Sequence, residues 1–328
     1  MVRSDRARRW RAPLGVLLGM SLVVAACGDD DAEEGTASSA DTGAEETEDT
    51  TAGEETETDS EAEGEGASIR VLDVVATGEE GEDGTMTHRF EPLEDVTAGP
   101  AQLNLVNEGM EPHHVQLLKL DEGVTMDDVG AALATGNPGA LLEIGSFAGG
   151  TGLVDPGSES TADALVDLEE GTYVMLCFIE GPDGLPHVAK GMVEAFEVGP
   201  ADGDAGELPE PDVTVNMIDF GFDANELPSS GVVELVNASE TQAHEMTLLH
   251  LAEGKTGQDV ASFFEGEAPG PPPFSGVGGM QALMPGASQL LMIEEAEPGD
   301  YLMICLIPDP ADGVPHAAKG MSLPATVG

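Results

Sequence analysis

Beyond residue 68, the apolar residues fall in short runs separated by Gly, Pro, Asp and Asn. Such runs are typical of β-strands. The predicted strands are 69 to 76, 103 to 106, 115 to 120, 164 to 168, 173 to 178, 213 to 218, 232 to 236, 246 to 251, 290 to 293 and 301 to 307. Capping-box patterns at Thr125-x-x-Asp128 and Thr256-x-x-Asp259 predict two short helices. This pattern indicates an all-β chain of Greek-key β-sandwiches.

The sequence repeats itself with a period of about 130 residues, which fits whole domains. Residues 113 to 125, HHVQLLKLDEGVT, match residues 244 to 256, HEMTLLHLAEGKT. Residues 171 to 192, GTYVMLCFIEGPDGLPHVAKGM, match residues 299 to 321, GDYLMICLIPDPADGVPHAAKGM, with one residue inserted. We therefore predict two tandem domains with one short helix each, a first repeat at 67 to 199 and a second repeat at 212 to 328. A linker rich in Gly, Pro and acidic residues joins them at 200 to 211.

The first 66 residues predict export and anchoring rather than a fold. Five Arg residues between positions 3 and 11 precede a short apolar run that ends in Ala25-Ala26-Cys27. This segment resembles a bacterial lipoprotein signal at 1 to 27, with Cys27 as the lipidated residue. A plain signal peptide with an incidental Cys is the alternative. Residues 28 to 66 have no apolar surface to bury, so we expect a disordered acidic tether. The predicted location is the extracytoplasmic face of the cell membrane.

The charge of the chain excludes some partners. It holds 64 Asp and Glu residues against 11 Lys and Arg, a formal net charge of -53. A chain this acidic repels nucleic acid and anionic lipid surfaces, so neither is expected as a partner. Salt adaptation, a basic partner, attraction of cations and simple solubility all remain open as reasons for the acidity.

Each repeat contains one Cys followed by a His and a Met at matched spacing, and a further His lies upstream before a strand. Two imidazoles, one thiolate and a weak axial thioether are the ligands of electron-transfer copper. We therefore predict two copper ions, one in each domain. The predicted ligands are His113, Cys177, His187 and Met192 in the first repeat, and His244, Cys305, His316 and Met321 in the second. A metal-free fold and a Cys177–Cys305 disulfide are the alternatives.

At these residues both repeats resemble the cupredoxin (blue-copper) family. Asn107 and Pro112 before His113, and Phe90-x-Pro92 followed by Gly99, also look like family segments. The resemblance implies type 1 copper sites with the ligand roles given above. The loop from Cys to His, with its Pro-His-x-x-x-Gly-Met ending, is similar to that of copper nitrite reductases.

Two departures from the family pattern change the expectations. Small cupredoxins often tie their ligand loops together with an Asn after the first His and a hydroxyl residue after the Cys. Here those positions hold His114 and Phe178, or Glu245 and Leu306, so the ligands must be oriented differently. The residues before each Cys are Leu176 and Ile304, where a catalytic copper centre would need His. With no convincing acid–base pair or nucleophilic triad, we expect that the chain is not an enzyme.

Other conspicuous side chains receive simpler interpretations. His114 is expected beside the site or exposed, while His88 and His250 are expected on the surface. Met175 and Met303 are expected in the core, because each lies two residues before a Cys on the same strand face. Lys190 and Lys319 are expected near the copper loops, where they either dock an acidic partner or offset local charge.

The leading hypothesis is electron transfer between copper and a redox protein such as a cytochrome, an oxidase or a reductase. Electrons would leave through His187 and His316, whose loops hold apolar residues such as Leu185 and Val314. A second hypothesis is copper storage, delivery or sensing with the same ligands. A third is a metal-free interaction module built on the same fold. Reversible loss of copper to a mild chelator would favour the second hypothesis.

Overall fold

The structure is a computed structural model that describes residues 69 to 327 except 82, 83, 85, 204, 205, 225 and 269. The predicted signal at 1 to 27, Cys27 and the acidic tether at 28 to 66 lie outside the described residues. Among the described residues, no helix has the length and apolar character needed to cross a membrane. Both repeats belong to one compact unit.

The regular structure of the first repeat is mostly β-strand. They are β1 (Arg70–Glu80), β2 (Met86–Phe90), β3 (Val96–Thr97), β4 (Gly99–Asn107), β5 (Gln116–Leu120), β6 (Gly145–Phe147), β7 (Thr151–Val154), β8 (Ser158–Glu159), β9 (Ala162–Leu168), β10 (Gly171–Leu176) and β11 (Val193–Gly199). One α-helix, α1, spans Met126–Leu133, and 3-10 helices span Pro138–Glu143 and His187–Lys190.

The second repeat follows the same order with fewer strands. They are β12 (Val213–Ile218), β13 (Gly221–Phe222), β14 (Glu226–Leu227), β15 (Gly231–Asn237), β16 (His244–Leu251), β17 (Phe274–Leu283), β18 (Ser288–Ile293), β19 (Gly299–Ile304) and β20 (Ser322–Val327). Its α-helix, α2, spans Gly257–Phe264, and a 3-10 helix spans His316–Lys319. The all-β prediction with one short α-helix per repeat is confirmed.

Both α-helices begin where the sequence indicates. Thr125 and Thr256 are the N-cap residues, and each closes a reciprocal capping box with the Asp three positions later. The side-chain and backbone bonds of this box satisfy two N–H groups that the first turn of a helix leaves without partners. Local sequence therefore fixes where each helix starts.

The strands form three sheets, two of which contain strands from both repeats. A five-stranded sheet in the order β3-β11-β10-β5-β6 lies in the first repeat, and a six-stranded sheet in the order β14-β20-β19-β16-β17-β7 lies mainly in the second. The third sheet runs β13-β12-β15-β18-β9-β4-β1-β2, with β8 also paired to β4. The predicted domain boundaries stay predictions, and the described part of the 200 to 211 linker contains no strand or helix.

The candidate ligands lie in the cores between these sheets. In the first repeat, Cys177 and Met192 pack in one apolar cluster with side chains from both sheets, including Leu105 and Leu117. In the second repeat, Cys305 and Met321 pack in the matching cluster. Each core therefore holds a thiol and a thioether with no water-exposed surface.

Candidate metal centres

The first centre brings together three of its four predicted ligands within contact of one another. His113 precedes β5 and forms a β-bridge with Val154, Cys177 follows β10, and His187 begins a 3-10 helix. The Nδ1 atoms of His113 and His187 are 3.1 Å apart. The Cys177 Sγ atom lies 3.8 Å from Nδ1 of His113 and 3.6 Å from Nδ1 of His187. Met192, the fourth predicted ligand, is buried in the same core as Cys177.

The second centre has nearly the same geometry. The Nδ1 atoms of His244 and His316 are 3.1 Å apart. The Cys305 Sγ atom lies 4.0 Å from Nδ1 of His244 and 3.4 Å from Nδ1 of His316. Met321 lies in the same core, and its carbonyl oxygen accepts a hydrogen bond from the Cys305 N–H at 3.1 Å.

These separations fit a single ion in each centre. A first-row metal such as zinc binds imidazole nitrogen at about 2.0–2.1 Å and thiolate sulfur at about 2.3 Å. Two nitrogens on one ion are then at most about 4.1 Å apart, and a nitrogen and a sulfur at most about 4.4 Å. All the measured nitrogen–nitrogen and nitrogen–sulfur distances lie below these limits. Cys177 and Cys305 are free thiols, so the alternative disulfide between them is not formed.

Backbone hydrogen bonds hold each loop that runs from Cys to Met. The N–H of His187 donates to Ile179 at 2.9 Å, and that of His316 donates to Ile307 at 2.9 Å. The 3-10 helix that begins at each His ends at Gly191 or Gly320, with φ of 95° and 114°. A residue with a Cβ is strained at such φ values, so glycine is needed where the chain turns toward the Met.

An asparagine supports the upstream histidine in each repeat. The Asn107 Nδ2 group donates to the carbonyl oxygens of Glu111 and Val154 at 3.0 and 2.9 Å. Asn237 donates to the carbonyl oxygens of Gln242 and Leu283 at 2.9 Å each. Each asparagine thus fixes the turn that leads into the first ligand. The sequence pointed to Asn107 but missed Asn237, because one extra residue separates Asn237 from its His.

The residue after the first His ties the two ligand loops together in each repeat. His114 accepts a hydrogen bond at Nε2 from the N–H of Phe178, at 2.7 Å. Glu245 accepts one at Oε1 from the N–H of Leu306, at 2.8 Å. Burial lowers the pKa of His114 to about 3 and raises the pKa of Glu245 to about 7. In both repeats the link therefore joins a side chain to a backbone amide.

A polar side chain contacts the far nitrogen of each loop histidine. The Glu111 Oε2 atom lies 2.9 Å from Nε2 of His187, and the Gln242 Oε1 atom lies 2.9 Å from Nε2 of His316. A carboxylate oxygen and an amide oxygen only accept, so Nε2 carries the proton and Nδ1 is left free for a metal. Sequence reasoning missed both residues. When His113 is aligned with His244, Glu111 aligns with Gln242. This match was the one feature of the sequence that could have identified the two residues.

The expectation that His88 lies on the surface is wrong. It is buried on β2, with the same inward direction as Phe90 two residues later. Its ring stacks on that of His187 with centroids 3.9 Å apart and planes 15° apart. The period of two along β2 places His88 and Phe90 on one face. His250 stacks on Tyr301, and its side chain is 24% exposed, so it lies partly at the surface.

The counterpart of His88 in the second repeat is Phe220. Ala76 pairs with both Phe90 and Asn107, while Met217 pairs with both Phe222 and Asn237. Phe90 and Phe222 therefore occupy matching positions. His88 and Phe220, which lie two residues before them, match as well. Phe220 meets the His316 ring edge to face, with centroids 5.3 Å apart.

Both loop histidines are buried. His187 and His316 are both 0% exposed, so neither presents an edge to solvent directly. The sequence placed the exit for electrons at these histidines because both loops hold apolar residues, and Leu185 and Val314 are exposed. The helical turn that begins at each His folds the ring inward. Met175 and Met303 are fully buried in the cores, as predicted.

The two lysines near the loops are engaged within them. Lys190 pairs with Asp183 at 2.7 Å, while Lys319 pairs with Asp309 and with Asp312, the latter at 2.9 Å. All three carboxylates belong to the loop between Cys and His. Two roles were expected for these lysines, docking an acidic partner or offsetting local charge. Their contacts agree with the second role.

The protonation states suit a metal cation. Burial lowers the pKa of His113 to about 3 and also lowers the pKa values of His187, His244 and His316. These imidazoles are therefore neutral and can act as ligands at neutral pH. Burial raises the pKa of Cys177 to about 12 and also raises that of Cys305. A bound cation would offset this cost by stabilising the thiolate.

No protein-family model matches the sequence, and no curated protein matches it. Solved structures similar to the chain include auracyanin from Roseiflexus castenholzii, at 21% identity over 35% of this chain and 95% of that one, with a TM-score of 0.25. They also include a copper-containing nitrite reductase from Thermus scotoductus, at 13% identity over 80% and 62% of the two chains, with a TM-score of 0.24. A multicopper oxidase is 16% identical over 79% and 89%, with a TM-score of 0.23.

These similarities correct one expectation. The chain was expected not to be an enzyme, yet two of these three similar structures are copper enzymes. The absence of His before each Cys concerns only one kind of catalytic copper centre. It therefore does not separate this chain from enzymes in general.

Proposed function

We propose that this protein binds copper and transfers electrons, with one type 1 copper ion in each repeat. The observation that carries the proposal is the repeated geometry of two Nδ1 atoms 3.1 Å apart and a Cys Sγ within 4.0 Å of both. Two imidazoles and a thiolate with a Met nearby suit copper in both oxidation states.

The surroundings of the proposed ligands favour electron transfer by a retained copper ion over storage or delivery of copper. Every proposed ligand is fully buried, and the loops that hold them are fixed by backbone hydrogen bonds. A site held in this way changes little when copper gains or loses an electron, because its ligands are already in place. The same burial slows the release of the ion. A storage or delivery protein would need to release it readily.

The exposed surface near each loop supports contact with a redox protein. Leu185 and Val314 occupy the same position in the two loops and are 53% and 37% exposed. Met110, next to Glu111, is 62% exposed. Apolar side chains at the edge of a buried redox centre suit a brief contact with a cytochrome, an oxidase or a reductase. We further propose that a lipid on Cys27 anchors the protein at the extracytoplasmic face of the membrane.

A Cu(II) titration of residues 67 to 328, followed by visible absorption, tests the proposal. We expect an intense thiolate-to-copper band that saturates at two equivalents, and at one equivalent in Cys177→Ala or Cys305→Ala. Met192→Leu should change the spectrum, while Met175→Leu, buried in the same core, is the matched control.

Two results would change the proposal. A folded protein with free thiols and no band would reject copper binding and leave a metal-free interaction module. A band that disappears quickly with a mild chelator would favour copper storage, delivery or sensing. Slow loss of copper together with fast electron exchange would support the proposed function.

A further inference from the structure

The two centres differ in charge at the outer edge of the loop histidine. In the first, the Glu111 carboxylate lies 2.9 Å from Nε2 of His187. In the second, the neutral amide of Gln242 lies 2.9 Å from Nε2 of His316. The two side chains occupy matching positions and have nearly the same shape. They differ by one negative charge.

The first of these contacts is shielded from water. His88 covers one face of His187, and its own side chain is fully buried. Its nitrogens have no hydrogen-bond partner within the described part of the chain. The Glu111 side chain is only 14% exposed. An electrostatic interaction in such surroundings is stronger than the same interaction in water.

His88 acts here as a stacking neighbour and not as a further copper ligand. The lone pair of an imidazole nitrogen lies in the plane of its ring. The rings of His88 and His187 are almost parallel, 15° apart, and their centroids are separated by 3.9 Å. Two rings in this arrangement do not direct their lone pairs at one ion.

We propose that Glu111, acting through His187, lowers the reduction potential of the first copper site, and that His88 strengthens the effect by excluding water. The inference rests on the proposed function. When Cu(II) takes one electron and becomes Cu(I), the site loses one positive charge. A carboxylate that accepts a hydrogen bond from the ligand imidazole makes that imidazole more basic. This stabilises Cu(II), the more highly charged ion. Glu111 is thus a positioning residue that sets the potential.

The chain itself supplies a conservative test. Glu111→Gln places in the first repeat the residue that the second repeat carries, so the fold accepts it at this position. The amide oxygen can still accept from Nε2 of His187, as Gln242 does from His316. The substitution therefore removes the charge and keeps the hydrogen bond. Gln242→Glu is the reciprocal change.

The experiment measures reduction potentials in full-length protein with one copper site at a time. Cys305→Ala isolates the first site, and Cys177→Ala isolates the second. In the Cys305→Ala protein, Glu111→Gln should shift the Cu(II)/Cu(I) equilibrium with a fixed mediator about ten-fold toward Cu(I). This corresponds to a rise in the reduction potential of ~59 mV for one electron. Gln242→Glu in the Cys177→Ala protein should shift the equilibrium toward Cu(II). His88→Ala should move the first site in the same direction as Glu111→Gln.

The outcomes separate this inference from the proposed function. If the parent shows no thiolate-to-copper band, the proposed function itself fails. If the band is intact but neither Glu111→Gln nor Gln242→Glu moves the potential, the charge effect is overturned and copper binding stands. If Glu111→Gln shifts the potential while His88→Ala does not, the role given to His88 is wrong.

Discussion

Ala164 pairs with Leu291 in the antiparallel ladder between β9 and β18, and the two residues occupy the same position in their own repeats. Ala164 pairs with Leu103 of β4, just as Leu291 pairs with Val233 of β15. Thr151 and Met280, which follow matching Gly-Gly pairs, also pair with each other. Matching residues that pair with each other give the junction a local two-fold symmetry, as in an isologous interface.

The two sheets shared between the repeats predict that both repeats unfold together. Leu291 is fully buried at the junction, and truncating it leaves a cavity in a core. Leu291→Ala should lower the free energy of unfolding by about 2–5 kcal/mol. Denaturant titration followed by circular dichroism should show one transition at a lower midpoint. Leu290→Ala, on the half-buried neighbour, is the control, and two separate transitions would contradict the prediction.

The contact between Glu245 and the amide of Leu306 predicts a second effect on stability. Glu245→Ala leaves the Leu306 N–H without its acceptor, which should cost about 1–3 kcal/mol. Glu245→Gln retains an acceptor oxygen and should cost less. Thermal unfolding of the two variants compares them. Equal losses in both would show that the hydrogen bond contributes nothing to stability.

Asp163 predicts that stability changes between about pH 4 and pH 6. Burial raises its pKa to about 6, although Ser160 and Gln102 donate hydrogen bonds to it. Between these pH values the folded state holds a proton that the unfolded state has released, so the contribution of Asp163 to stability is greatest below pH 4 and is lost as pH rises through 6. The loss is on the order of 2–3 kcal/mol.

Asp163→Asn isolates this contribution, because the amide cannot ionise. Denaturant unfolding from pH 4 to pH 7 should show a smaller fall in stability for the variant than for the parent. Asp167→Asn, on the exposed face of the same strand, is a suitable control. Parallel curves for parent and Asp163→Asn would contradict the assignment.

The buried thiols predict a pH dependence of copper binding. Burial raises the pKa of Cys177 to about 12, so copper must displace one proton when it binds. The apparent affinity should therefore rise about ten-fold for each unit of pH, in the range where the histidines are neutral. Competition titrations at pH 7 and pH 8 in the Cys305→Ala variant measure the slope. An affinity that does not depend on pH would show that the thiol is not a ligand.

Several features of the fold follow from local sequence. Short apolar runs bounded by Gly, Pro, Asp and Asn predicted the strands, and the capping boxes at Thr125 and Thr256 predicted where the helices begin. The matched order of Cys, His and Met predicted which side chains meet in each core. Such predictions succeed because they depend on the period of a strand, the first turn of a helix, or a single loop.

The contacts around the centres depended on the whole structure. Nothing local to the sequence shows that Glu111 and Gln242 reach the far nitrogens of His187 and His316, because those histidines lie more than seventy residues away along the chain. His114 and Glu245 accept their hydrogen bonds from backbone N–H groups. Every residue but proline has such a group, so the sequence carries no sign of the partner.

By itself, the sequence indicated an all-β protein in which Cys, His and Met recur at a spacing that suits copper. Residue spacing within one strand or loop was enough for that. Only the tertiary structure decided that two sheets contain strands from both repeats, that His88 is buried against His187, and that the loop histidines are covered. The physical reason is that sheet pairing and ring stacking join segments far apart in the chain, and their geometry is set by packing that no short stretch of sequence encodes.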